Sequence, residues 1–358
     1  MSSQLQQLRA SPALLALCLS PLLTACTAAT ERDSSGDVDA SNAGSSCTDA
    51  VTTSAEVLAS DPNASPALAL TSTTLFWVDR GASVRDSIQS VSLAGGHVST
   101  VYSATPDDTA AIEDVVTDGT NLYFVQVSAT DGGYMSEIKS VPTAGGTSTV
   151  LATVSGELLE VAVVSGYVYF SGGYTVERVP TQGGHVEGIP GGIGGAGLVS
   201  QGSSLYWIGN NDDLTGLFSV DGTAKSLVSG EAANESSADL VQVLSANAEN
   251  LFWPCSDDAG TSLCGSSVAG GGAVDILGSL SEGAFAIQSD DTNVYVMLSE
   301  RCSTSLGKFP VAGGAMTTIA SGFTPAAEIV MSHAIALDDT YIYWVEQDGN
   351  GRVVRAPK

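Results

Sequence analysis

Residues 114–127, which read DVVTDGTNLYFVQV, decide the fold of this chain. Apolar and β-branched segments flank the polar residues 118–121, whose composition is typical of a turn between two strands. Residues 137–142 and 148–152 also have strand composition, and a glycine turn at 144–146 separates them. The stretch and its continuation therefore predict four short strands in one antiparallel meander.

The second strand of this meander contains an apolar residue followed by two aromatic ones. Similar triplets begin at intervals of 37 to 48 residues along the chain: Leu75-Phe76-Trp77, Leu122-Tyr123-Phe124, Val168-Tyr169-Phe170, Leu205-Tyr206-Trp207, Leu251-Phe252-Trp253, Val294-Tyr295-Val296 and Ile342-Tyr343-Trp344. An all-strand repeat of this length predicts a β-propeller in which each repeat forms one blade. Because Trp, Phe and Val alternate at one position, we expect these side chains to pack between blades.

The two ends of the repeat array predict how the ring closes. The last repeat supplies residues 342–344 and 352–357 as its second and third strands, and then the sequence stops. Residues 56–60 resemble the fourth strand of other repeats, such as residues 149–153. The sequence therefore predicts an all-β, seven-bladed propeller over residues 51–358, with its last blade completed by the N-terminal strand.

Residues 1–25 have the pattern of a signal peptide, because Arg9 precedes an apolar run that is too short to span a bilayer. The run ends in Leu23-Thr24-Ala25-Cys26, which resembles the lipobox of bacterial lipoproteins. The resemblance implies cleavage before Cys26, lipidation of its thiol and anchoring in the cell envelope, with the outer membrane favoured. An ordinary cleaved signal peptide is the alternative. Residues 26–50 are small and polar, and we expect a flexible tether there.

The balance of charge limits the choice of partners. The chain carries 39 acidic and 12 basic residues, and loss of Arg9 with the signal peptide changes the formal net charge from −27 to −28. Such an excess opposes binding to nucleic acid, because both would be polyanions. It suits an exported, soluble, monomeric domain, or one that binds cations or basic partners.

Four cysteines remain once Cys18 leaves with the signal peptide and Cys26 is lipidated. Cys255 and Cys264 lie nine residues apart on one predicted hairpin, so we expect a disulfide between them. By elimination Cys47 would then pair with Cys302. A metal site built from all four cysteines is the alternative, and it is disfavoured because the paired short spacings of zinc sites are missing.

Propeller geometry sorts the connections onto two faces. Turns between first and second strands, and between third and fourth strands, share one face, which we call the constant face because its turns are short and repetitive. The other links share the variable face, where length and content differ between repeats. Loops on a rigid scaffold commonly carry binding groups. The candidate binding residues of the variable face are Asp79, Asp107, Asp108, Asp212, Asp213, Asp257, Asp258 and His333.

Acidic loops also suggest Ca²⁺, which prefers six to eight oxygen ligands. The spacing of an EF-hand is absent, and residues 348–351 reproduce only a fragment of one. We therefore favour solvated carboxylates over a calcium site, and we expect no cofactor.

The three histidines are the residues that bear on a catalytic function. His97 and His185 follow equivalent glycine turns, so we expect both to be solvated. His333 precedes the innermost strand of the last blade and is expected to face the central channel. Some propeller lyases and lactonases use a histidine there, but a hydrogen-bonded structural histidine is favoured. No GxSxG or HExxH motif is present.

The triplet of residues 205–207 resembles the YWTD repeats of low-density-lipoprotein-receptor propellers, and Val78-Asp79 comes nearest to the end of that motif. The chain also resembles bacterial propeller lipoproteins. These resemblances imply the fold and leave the activity open. We expect a membrane-anchored binding scaffold for a protein, peptide or glycan. The alternatives are a propeller lyase or lactonase with its site at the channel mouth, and a passive structural protein of the envelope.

Overall fold

The computed structural model describes residues 55–81, 86–104, 110–172, 175–193, 195–211, 214–220, 224–229, 243–257, 260–270, 274–281, 283–299, 304–324, 333–347 and 351–358. These residues all belong to one compact unit. Their regular structure consists of β-strands. None of the described segments forms a helix with the length and hydropathy to cross a membrane.

The described strands pair into seven four-stranded antiparallel sheets, and six of these sheets follow chain order. Blades 1 to 3 contain β2 (Ala64–Leu70), β3 (Thr74–Asp79), β4 (Ser87–Ser92) and β5 (Ser99–Ser103); β6 (Ala111–Thr117), β7 (Asn121–Thr130), β8 (Gly133–Pro142) and β9 (Thr149–Ser155); β10 (Glu160–Val164), β11 (Tyr167–Ser171), β12 (Thr175–Pro180) and β13 (Glu187–Ile193). Blades 4 to 6 contain β14 (Ala196–Gln201), β15 (Ser204–Asn211), β16 (Leu214–Val220) and β17 (Ala224–Ser229); β18 (Ser245–Ala246), β19 (Asn250–Asp257), β20 (Gly260–Ser267) and β21 (Asp275–Ser279); β22 (Ala284–Ser289), β23 (Asn293–Ser299), β24 (Thr304–Pro310) and β25 (Thr317–Phe323). Blade 7 contains β26 (Ala336–Leu337), β27 (Tyr341–Glu346), β28 (Arg352–Pro357) and the N-terminal β1 (Glu56–Ser60).

The first strands of successive blades touch one another around a ring. Contacts join β2 to β6, β6 to β10, β10 to β14, β14 to β18, β18 to β22, β22 to β26 and β26 back to β2. This arrangement confirms the predicted propeller of four-stranded antiparallel blades. The first strands are therefore the innermost ones and enclose the central channel.

Pairing of β1 with β28 completes blade 7. Glu56 lies opposite Arg355, and Ser60 lies opposite Arg352. The guanidinium of Arg355 donates to Oε2 of Glu56 at 2.9 Å from Nε and 2.7 Å from Nη2. The outer edge of the last blade is thus covered by the start of the domain, as the sequence predicts.

The aromatic triplets lie in the second strands and are buried, because these strands pack against neighbouring blades. Trp77 of blade 1, for example, shares a cluster with Tyr343 and Val353 of blade 7. The four tryptophans at this position are at most 1% exposed. The side chains therefore fill space between blades, and truncation of one to alanine would cost about 3–5 kcal/mol.

Three links predicted as variable loops are instead mostly strand. Residues 126–136 form the ends of β7 and β8, with Thr130 paired to Gly133 across a tight turn. The described residues of the links at 209–216 and 254–264 likewise extend β15–β16 and β19–β20. Backbone pairing in an antiparallel hairpin does not require apolar side chains, so polar composition alone is misleading there.

Candidate functional site

The central channel contains a cavity of about 330 Å³. Residues in or next to the first strand of every blade line it: Leu68, Ala69, Leu70, Val116, Thr117, Ala162, Val163, Leu198, Val199, Ser200, Gln201, Leu244, Ala246, Gln288, Ser289, Ile335, Ala336 and Leu337, together with His333. Because strand ends such as Leu70, Gln201 and Ser289 belong to the lining, the cavity runs toward the constant face. His333 precedes β26 and therefore lies at the opposite end of the cavity, which is its inner end as seen from the constant face.

His333 is held by a carboxylate from another blade. Its Nδ1 lies 2.9 Å from Oδ1 and 3.0 Å from Oδ2 of Asp114, in the middle of β6. Asp114 is 3% exposed and also accepts the backbone N–H of Val115 at 2.8 Å and of Val161 at 3.0 Å. The carbonyl oxygen of His333 accepts the backbone N–H of Leu68 at 3.0 Å. Through these hydrogen bonds, His333 and Asp114 connect blades 7, 1, 2 and 3 around the channel.

Glu160 at the start of β10 adds a second carboxylate to this cluster. Its Oε2 accepts the backbone N–H of Leu198 at 2.8 Å, which connects blades 3 and 4. Burial raises the pKa of Glu160, and the charge of Asp114 raises it further, although the N–H of Leu198 and the charge of His333 oppose the shift.

The pKa of the His333 imidazole is also raised, but the balance of causes differs. Burial disfavours the protonated form of His333, but the carboxylate of Asp114 and the charge of Glu160 outweigh burial and raise its pKa. The imidazole therefore carries a positive charge over a wider pH range than a free histidine does. Within the described residues its Nε2 has no hydrogen-bond partner.

This arrangement allows two kinds of chemistry. Asp114 fixes the imidazole by its Nδ1, and an imidazole oriented in this way can donate a hydrogen bond or transfer a proton through Nε2. In the described segments, no group of three or more His, Cys, Asp and Glu side chains is arranged to hold a metal ion.

Asp79 is the one predicted acidic candidate whose side chain is described. It lies at the end of β3 on the variable face, where its Oδ1 accepts the N–H of Gly81 at 2.8 Å and closes a turn. Burial raises the pKa of Asp79, the N–H of Gly81 opposes this, and the charge of Asp61 adds to it. The contacts suit a structural role.

The side chains of the other acidic candidates are not described by the structure. Asp107, Asp108, Asp212, Asp213 and Asp258 are not among the described residues, and for Asp257 only the backbone is described. Cys26, Cys47 and Cys302 also lie outside the described residues. The structure contains a disulfide between Cys255 and Cys264, which joins β19 to β20.

Two further acids, Asp86 and Asp114, are buried acceptors rather than solvated groups. Asp86 is 7% exposed, accepts the backbone N–H of Ile112 at 2.8 Å and contacts Arg80 at 3.4 Å. Burial raises the pKa of Asp86, although the N–H of Ile112 and the charge of Arg80 oppose the shift. Asp114 is the second such residue. Sequence reasoning did not foresee that Asp86 and Asp114 connect neighbouring blades.

A repeated contact on the constant face was also missed. In three blades a turn aspartate accepts the hydroxyl of the tyrosine five residues later: Asp118 with Tyr123, Asp290 with Tyr295, and Asp338 with Tyr343. The same aspartates accept backbone N–H groups of their own turns. The spacing Asp-x₄-Tyr at the triplets is the signal that could have revealed it.

The fold is similar to several solved propellers. The β-propeller domain of the Trilobed protease from Pyrococcus furiosus matches with 12% identity and a TM-score of 0.55, covering 81% of this chain and 96% of that chain. A chain of a mitotic checkpoint complex matches with 11% identity and a TM-score of 0.53, covering 89% and 98%. The acylaminoacyl peptidase of Pyrococcus horikoshii matches with 11% identity and a TM-score of 0.52, covering 82% and 53%.

At such identities the likeness shows the fold alone. The Pyrococcus furiosus propeller is described as having an open velcro topology, whereas β1 and β28 are hydrogen-bonded here. No family model matches the chain. No curated protein is significantly similar to it.

Proposed function

We propose that the chain is a lipid-anchored lipoprotein of the cell envelope, favouring the outer membrane, whose propeller binds a protein, peptide or glycan through its variable acidic face. The observation that carries the proposal is the closed ring of first strands, which collects the second-to-third and blade-to-blade links on one face. All the candidate acids lie in or beside those links. A rigid scaffold with variable loops on one side is a common design for binding proteins.

Charge selects the class of partner. Formal charge is strongly negative, and described acids such as Asp86 and Asp114 are used internally. Binding of a basic peptide or a lysine- and arginine-rich protein surface to the acids in the loops would be favoured by electrostatic complementarity. Such contacts weaken as salt is raised, because exposed charges are screened over about 8 Å at physiological ionic strength.

The test uses a fluorescent lysine-rich peptide and a pull-down from envelope extracts. One variant combines Asp107→Asn, Asp108→Asn, Asp212→Asn and Asp213→Asn on the variable face. The matched control combines Asp291→Asn and Asp339→Asn, two exposed acids of constant-face turns. We expect the first variant to lose both the peptide and the captured partners, and the control to keep them. Equal binding by both variants would refute the role of the variable face.

The lipid anchor is tested separately. Replacement Cys26→Ser is expected to abolish incorporation of an alkyne-labelled fatty acid and to release the protein from the membrane fraction. Labelling that survives this replacement would refute the lipoprotein assignment, and the ordinary signal peptide would take its place.

A second candidate function is a propeller lyase or lactonase with its site at the channel mouth. The observation in its favour is the buried Asp114–His333 pair, whose Nε2 has no partner among described residues. A screen of lactones and uronic-acid polysaccharides, with and without divalent metals, would test it. Turnover that disappears in the His333→Gln variant would establish this function, and absence of turnover would leave the binding scaffold.

A further inference from the structure

The channel cavity differs in chemistry from the rest of the molecule. Although the chain has 39 acidic residues, none of the described residues that line the cavity is Asp, Glu, Lys or Arg. His333 is the one ionisable side chain among the described lining residues, and the carboxylate of Asp114, 2.9 Å away, balances its charge. A charged molecule entering this space would lose its hydration without meeting an uncompensated opposite charge.

The lining nevertheless offers oriented hydrogen-bonding groups. Gln288, in β22, accepts the hydroxyl of Ser245 at 3.1 Å and the N–H of Ser289 at 3.0 Å through its Oε1. Since the backbone N–H can only donate, the amide oxygen is fixed toward it, and the amide nitrogen must point elsewhere. Within the described part of the chain, this nitrogen has no acceptor.

A second amide lies on the other side of blade 5. Gln201, the last residue of β14, lines the same cavity, and none of the described residues hydrogen-bonds its side chain. At the inner end Nε2 of His333 is a further unused polar group. The other side chains that line the cavity are either aliphatic, such as those of Leu68, Leu198 and Ile335, or carry hydroxyl groups, namely those of Thr117, Ser200 and Ser289. Neutral polar groups set among apolar side chains suit a small-molecule site, and the volume is at the lower end of the usual range for such sites.

We infer that the channel is a second binding site, open to the constant face, for a small uncharged molecule of about monosaccharide size that carries hydroxyl or amide groups. Gln201 and Gln288 hydrogen-bond this molecule, the aliphatic strands pack against its carbon skeleton, and His333 donates to its inner end. The site is independent of the acidic loops, so it can exist whether or not the variable face binds a partner.

The experiment measures binding of three probes that share a pyranose ring to the purified full-length chain. N-acetylglucosamine is neutral, glucosamine is cationic and glucuronate is anionic. We expect saturable binding of the neutral sugar in ligand-observed NMR titrations, about tenfold tighter than that of either charged sugar. Gln201→Leu and Gln288→Leu should each weaken it about three- to tenfold, as expected for one lost hydrogen bond.

Two controls keep the result interpretable. Gln182→Leu removes an exposed amide from a constant-face turn and should change nothing. Val163→Phe adds bulk to the cavity wall without touching either amide, and should abolish binding while the melting temperature shows that the fold persists. No saturable binding of the neutral sugar, equal binding of the charged sugars, or binding unaffected by all three channel variants would each overturn the inference.

Discussion

Replacing Asp114 by Asn tests whether the buried pair in the channel stabilises the ring. The substitution keeps the shape of the side chain but turns one carboxylate oxygen into an NH₂ group. In the parent chain, the carboxylate of Asp114 accepts hydrogen bonds from the imidazole of His333 and from the backbone N–H groups of Val115 and Val161. With one oxygen left, at least one of these donors faces another donor in a site that is 3% exposed.

The expected cost follows from these contacts. A hydrogen bond to a charged group contributes about 1.5–3 kcal/mol, and a buried donor left without an acceptor costs about 1–3 kcal/mol. Their sum, about 2.5–6 kcal/mol, brackets the cost of about 3–5 kcal/mol that breaking a buried ion pair usually carries, and we expect a value in that narrower range. For a domain of this size, the melting temperature should fall by about 6–10 °C.

The free-energy cost of Asp114→Asn should also depend on pH, and the direction of this dependence follows from the pKa shifts. The pKa of His333 is raised in the folded state, so the stabilisation that it supplies is complete below its unfolded pKa and is lost as the pH rises through the folded value. The raised pKa of Glu160 acts in the same direction, from its unfolded pKa upward. The cost of Asp114→Asn should therefore be larger at pH 6 than at pH 9.

Urea unfolding followed by tryptophan fluorescence measures the free energy of unfolding of the parent chain, Asp114→Asn, His333→Gln and the double variant. Because the two side chains interact directly, the double variant should be less destabilised than the sum of the single variants. A cost below about 1 kcal/mol, additive single effects, or no change between pH 6 and pH 9 would refute the reasoning.

Three further predictions concern other parts of the ring. Replacing both Cys255 and Cys264 by Ser should lower the free energy of unfolding by about 2.5–3 kcal/mol in urea titrations, and a reductant should then have no further effect on this hairpin. Tyr343→Phe should cost about 1 kcal/mol at pH 7. Burial raises the pKa of Asp338, but the Tyr343 hydroxyl and the turn N–H groups outweigh burial and lower this pKa in the folded state. Loss of the hydroxyl should therefore also make the fall in stability between pH 5 and pH 2 less steep. Millimolar Ca²⁺ and EDTA should leave the melting temperature unchanged; a rise of several degrees with Ca²⁺ would show that the acidic loops bind the ion.

The blade architecture could be predicted because it repeats. Each aromatic triplet signals the same second strand, and residues 56–60 could be assigned to the last blade by their likeness to other fourth strands. The spacing of Cys255 and Cys264 similarly suggested a local bridge, since nine residues of a hairpin bring the two thiols close. In each case the information lies within one repeat or between equivalent positions of repeats.

The channel cluster could not be predicted because nothing in it repeats. Asp114 and His333 are 219 residues apart, and their contact exists only because the closed ring brings β6 and the residue before β26 to the same channel. Gln201 and Gln288 likewise converge only through the ring. Asp114, Gln201 and Gln288 look like ordinary polar residues of strands until the order of the blades and the closure of the ring are known.

The pairing of β1 with β28 also has a consequence for biosynthesis. Residues 56–60 leave the ribosome among the first of the domain, while their partners at residues 352–355 are made long after them. Until then, β1 remains an unpaired strand, and the intermediate blades can form locally without a closed ring. Synthesis of β28 is therefore the event that permits closure of the ring. Fragments that end before residue 352 should be cleaved by protease within residues 56–60 in pulse-chase experiments.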